Sequence, residues 1–161
     1  MRRLASLIAA GLFSSGCDSS RPTAKAWESG EQLAVPAFSI TITLDDEAKT
    51  KLANAGETLK AAIYFDGDGT PVPGVKTAPH REVFLGTYEF ELNEPGTIQI
   101  KDATISAEAY SRLSDKDYHY TINVVSGRRS SENNELDGGY AQGRHSELEA
   151  GKPIKIVCTP R

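Results

Sequence analysis

The chain has two cysteines, one tryptophan, one methionine and three histidines in 161 residues, and each scarcity removes a class of function. Cys17 and Cys158 can make at most one disulfide, so a cysteine-stapled scaffold is excluded. No CxxC or HExxH spacing occurs, which leaves no local zinc motif. His80, His119 and His145 fall in separate predicted elements. A GxSxG nucleophile turn is lacking, as is a glycine-rich phosphate loop. No catalytic activity, metal or cofactor is therefore expected. Positive charge is also in deficit, with 18 Lys and Arg against 22 Asp and Glu, net −4 at pH 7. Nucleic-acid binding needs a clustered basic face and is not expected. Long apolar runs are missing as well, and none approaches the roughly 20 residues of a membrane-spanning helix.

What is present begins at the N-terminus. Arg2 and Arg3 form a positive head, Leu4–Phe13 is apolar, and Ser14, Ser15 and Gly16 lead into Cys17. Charge, apolar stretch and small residues in this order describe an export signal. Small residues directly before a cysteine resemble the lipobox of bacterial lipoproteins; Ser15 and Gly16 fit it, while Ser14 stands where Leu is usual. The resemblance implies cleavage between Gly16 and Cys17, and a diacylglycerol thioether on Cys17, usually joined by an N-linked acyl chain such as palmitate. Two or three chains anchor stably where one does not. It also implies a membrane-anchored protein facing the periplasm. Asp18, directly after the cysteine, is associated in some bacteria with inner-membrane retention, and inner versus outer membrane stays open. The same residues also admit an ordinary cleaved signal with Cys17 paired to Cys158.

Loss of residues 1–16 removes two arginines and no acid, which moves the net charge from −4 to −6. Residues 17–36 are small and polar with little apolar period, and read as a flexible tether carrying Trp27. The folded domain is expected over 37–161. There, Phe38, Ile40, Ile42 and Leu44 alternate with polar residues, the pattern of a half-buried strand. Asp45 and Gly56 bracket a short helical turn as N-cap and stop. Further strands are expected over 58–66, 83–92, 97–105, 118–126 and 153–159, with a short one near 139–144 and a second helical turn capped by Ser106. Six to seven strands without a βαβ rhythm predict an all-β, antiparallel β-sandwich. The pattern resembles small proteobacterial lipoproteins with an immunoglobulin-like or transthyretin-like domain.

Two long polar loops are the candidate binding surfaces, because loops on a rigid frame usually carry recognition. The first, 66–81, opens with Asp66-Gly67-Asp68-Gly69. Neither register of an EF-hand fits it, since Gly and Glu miss their positions, so Asp66 and Asp68 read as solvated acids, with a weak irregular calcium site as the alternative. The second, 126–139, holds Arg128 and Arg129, whose guanidinium forks suit carboxylate or phosphate; Glu132 and Glu135 are expected to offset them. Cys158 falls on an apolar strand face and reads as inert packing. These residues together suggest a non-catalytic binding or assembly module. Its partners would be the membrane, through Cys17, and another envelope protein. The alternative is a periplasmic inhibitor of a lytic enzyme or protease, presenting loop 66–81.

Overall fold

The computed structural model describes residues 30–74, 81–149 and 151–161. Ten strands and two short α-helices fill them, so the chain is all-β as expected, with more strands than the six to seven read from sequence. The additions are brief: Gln32–Ala34 (β1), Leu136–Asp137 (β8), and a split of the expected 97–105 strand into Thr97–Ile100 (β5) and Thr104–Ser106 (β6). Gln32–Ala34, placed by sequence in the tether, pairs with Thr104–Ser106, and Val35 beside it is buried. Tyr88 holds the split open: its hydroxyl takes the Thr104 amide at 2.6 Å and donates to the Thr104 carbonyl at 2.9 Å.

The longer elements follow their sequence signals. Phe38–Leu44 (β2) buries Phe38, Ile40, Ile42 and Leu44, the period-two set. Asp46–Ala55 (α1) starts where the Asp45 carboxylate accepts the Ala48 amide at 2.7 Å. It stops at Gly56, in the left-handed region at φ 63°, with Gly56 N–H on Ala53 O and Glu57 N–H on Leu52 O, the two-bond glycine stop. Leu59–Gly67 (β3) and Val83–Leu92 (β4) follow, and Ala107–Ser111 (α2) is capped by Ser106. His119–Ser126 (β7), Tyr140–Arg144 (β9) and Ile154–Pro160 (β10) complete the chain.

The strands form two four-stranded sheets, ordered β4-β3-β7-β9 and β5-β2-β10-β8, beside the β1-β6 pair. Pairing is antiparallel apart from β2 with β10, which run parallel from Ile40 opposite Ile154 to Leu44 opposite Cys158. The wholly antiparallel expectation is corrected there. These two strands come from opposite ends of the domain, so no tight hairpin dictates their relative direction. Both sheets contribute to one hydrophobic core, with Ile40, Ile42, Ile98 and Ile156 from one and Ile63, Leu85 and Ile122 from the other. Phe65, fully buried at 0 % exposure, is an aromatic hub: its ring meets Phe38, Tyr88 and Tyr118 edge-on at 5.8–6.4 Å between centroids.

Truncating that hub leaves a cavity the strands on either side cannot close. Phe65→Ala is expected to cost about 3–5 kcal/mol, read as a lower urea midpoint with unchanged slope. Val157→Ala, at a side chain 58 % exposed, should stay within about 0.5 kcal/mol.

Candidate functional site

β3 is an interior strand, paired with β4 on one side and β7 on the other. Its inward residues, Leu59, Ala61, Ile63 and Phe65, are core; Lys60, Ala62 and Tyr64 therefore face outward. Register sets their neighbours. Ala62 lies between Glu89 of β4 and Asn123 of β7, and Asn123 is opposite Tyr140 of β9. The next row runs Thr87, Tyr64, Thr121, Gln142. Thr121 is buried within that row.

On this outer face lies an open cleft of about 400 Å³. Lys60, Ala62 and Tyr64 of β3, Glu89 of β4, Asn123 and Val125 of β7, and Ser126, Gly127 and Arg128 of the following loop line it. A hollow of 390 Å³ elsewhere has only Asn133, Asn134, Glu135 and Arg161 around it.

The loop that carries Arg128 is fastened to the frame at several points. The glycine stop of α1 delivers Glu57 to the entrance of β3, where it is 7 % exposed. Its Oε1 accepts the Ser130 amide at 2.7 Å, the Ser130 hydroxyl at 2.8 Å and the Ser131 amide at 3.0 Å, and Oε2 accepts the Arg129 amide at 3.0 Å. The Arg129 amide, then that of Ser130, holds the Glu57 pKa down to about 2, against an ordinary 4.5. Gly127 N–H donates to Thr58 O at 2.7 Å, and a Cβ at Gly127 would strike the Thr58 hydroxyl. Asn134 Oδ1 closes the far end by accepting the amides of Ser126 and Leu136 at 3.0 and 3.2 Å.

Charge in this region is distributed differently from the sequence reading. Arg129 Nε meets Glu91 at 2.7 Å, and Thr58 Oγ1 donates to the same oxygen at 2.6 Å. The Arg129 bond is the main cause that lowers the Glu91 pKa. Glu135 takes Lys51 at 2.9 Å instead. Neither Glu132 nor Glu135 therefore offsets the two arginines. Arg128, exposed and in the left-handed region at φ 54°, has no hydrogen bond or ion pair among the described residues.

At the opposite end, Asp66 is not solvated as expected but fully buried, with Arg81 Nε 3.7 Å away. The register of β3 against β4 shifts between Phe65 and Asp66, and Arg81 also grips exposed Asp68 at 2.6 Å. One guanidinium thus serves both acids. His119, opposite Asp66 across β3–β7, has its pKa lowered by burial first and then by the charges of Arg81 and Arg144. His145 stacks on Tyr118, 4.5 Å between ring centres. Burial pushes the Cys158 thiol up to about 11, against an ordinary 9.0. Among the described residues no group of three or more His, Cys, Asp and Glu is placed to hold a metal, and no helix is long and apolar enough to cross a membrane. Gly16, Cys17, Asp18, Trp27 and His80 lie outside the described residues.

No family model, curated protein or solved structure matches this chain. Sequence reasoning picked out Arg128 but missed Glu57 and the outward residues of β3 and β7. The alternation that put Leu59, Ala61 and Ile63 inside had already placed Lys60, Ala62 and Tyr64 together on the other face.

The Glu57 network has a measurable acid signature. A folded pKa of about 2 against 4.5 unfolded means the network's contribution is complete above pH 4.5 and is lost as pH falls towards 2. Glu57→Gln cannot accept from the same donors as a carboxylate. It should speed hydrogen exchange of the Arg129, Ser130 and Ser131 amides about tenfold at neutral pH. That gap should narrow as pH falls below 4.5.

Proposed function

We propose that this chain is a lipid-anchored lipoprotein of the bacterial cell envelope whose folded part is a non-catalytic binding or assembly module facing the periplasm. The two sheets are read as the halves of a β-sandwich of the immunoglobulin-like or transthyretin-like kind. Their shared core supports that reading. The anchor rests on Arg2, Arg3, the apolar Leu4–Phe13 and Gly16-Cys17. Cys158 supports it over the disulfide alternative, because its thiol is wholly buried in the core and offers no surface partner. Membrane contact is then through Cys17, with another envelope component as the partner of the domain.

The observation that carries the binding role is the loop after β7. Glu57, Thr58 and Asn134 hold it in one conformation beside the outer-face cleft, with Arg128 presented and uncommitted. A recognition surface ordered in advance does not incur the entropy of fixing a loop on binding.

The anchor is tested by detergent-phase partitioning and N-terminal peptide mass, comparing the natural chain with Cys17→Ala in a bacterial host. The natural chain should enter the detergent phase with an acylated Cys17, and Cys17→Ala should stay aqueous. Equal partitioning of both into the aqueous phase would overturn the lipoprotein reading.

A further inference from the structure

We propose that the outer-face cleft of the β4-β3-β7-β9 sheet binds an acidic saccharide: a hydroxylated pyranose carrying a carboxylate. The proposal deepens the binding-module reading and rests on it.

The floor of the cleft decides the shape of the ligand. β3 and β7 are both interior strands, paired on either side, so their main-chain groups are committed to the ladder. An extended peptide cannot add there as a further strand, and recognition falls to side chains. A volume of about 400 Å³ lies within the range of small-molecule sites, about 300–1,000 Å³. A compact ligand suits both facts.

Charge decides its sign. The arginines elsewhere on the domain are committed, Arg81 to Asp66 and Asp68, Arg129 to Glu91, Arg144 to Asp115 and Asp117. Lys60 and Arg128, both exposed and both lining the cleft, have no ion pair or hydrogen bond among the described residues. Set against the one carboxylate that lines it, Glu89, the two cations give the cleft a net positive charge on a chain of net charge −4, a local basin for an anion, and the guanidinium fork fits a carboxylate in two-point contact.

The remaining wall decides the body. Asn123 offers an amide donor and acceptor side by side, suited to adjacent hydroxyls. Tyr64 supplies an aromatic surface in the cleft. Tyr140, half exposed at 50 %, extends the row beyond Asn123. Aromatic faces pack against the C–H faces of a pyranose while their hydroxyls stay wet. Ala62, short enough to leave space between the strands, sits at the centre.

The test is a titration of the purified full chain, held in a sugar-free zwitterionic detergent, with glucuronate, glucose and acetate at matched ionic strength. Backbone amide NMR is the readout. Glucuronate should shift Tyr64, Asn123 and Arg128 saturably, with glucose and acetate each at least about tenfold weaker, the effect of losing the charge-assisted or hydroxyl contacts. Arg128→Gln and Lys60→Gln should each weaken glucuronate about tenfold or more, with unchanged spectra in the core. Two variants on different elements keep the test decisive if one fails to fold. No saturable shift with glucuronate overturns the proposal. So does acetate binding as tightly as glucuronate, the mark of a plain anion site, or binding indifferent to both variants. Failure here with acylated Cys17 intact removes only the ligand class, whereas loss of the anchor leaves the cleft result standing.

Discussion

The domain depends on the two-sidedness of β3. Hydrogen-bonded along both edges, this strand cannot slip by one residue without sending Leu59, Ala61, Ile63 and Phe65 to the wrong side. Those four lie at 0–1 % exposure and are the seam through which the two sheets share a core. The same alternation forces Lys60, Ala62 and Tyr64 onto the open face, so the surface that can meet a ligand is a consequence of the surface that must avoid water. Core and cleft are two readings of one strand.

Around that strand, electrostatics does local work rather than general stabilisation. Exposed ion pairs such as Lys49 with Asp46 contribute little. The Glu57 carboxylate is different, because it is nearly out of contact with solvent and takes three main-chain amides and a hydroxyl from one loop. An acid at that position organises three consecutive residues, Arg129 to Ser131, and a neutral side chain of the same length cannot match it. With Arg129 drawn away to Glu91, its neighbour Arg128 is left facing the cleft. Rigidity and chemical availability thus come from adjacent residues treated in opposite ways.

The two candidate loops have separate characters. The start of the 66–81 segment is internal scaffolding, since Asp66 is buried and Arg81 bridges it to Asp68. On the proposed binding role, the loop after β7, beside the sheet face, is the recognition surface. A module of this kind on a lipid tether would work by holding a ligand close to the membrane, where tethering raises its effective concentration.

Much of the frame was legible in the chain itself, for reasons that are local. Period-two burial identified β2, β3, β4 and β7; Asp45 and Gly56 marked both ends of α1, because a cap and a left-handed stop depend on near neighbours. The rest needed three dimensions. β1 and β8 are too short to show a period and exist because a partner strand is already in place. The parallel union of β2 with β10 joins the two ends of the domain. Glu57 and Ser130 are 73 residues apart, and no local pattern announces that a carboxylate at one will hold the loop of the other. The sequence alone determined which side chains leave water; only the tertiary structure decided which polar groups meet, because burial follows from each residue's own chemistry and pairing from the distances that folding closes.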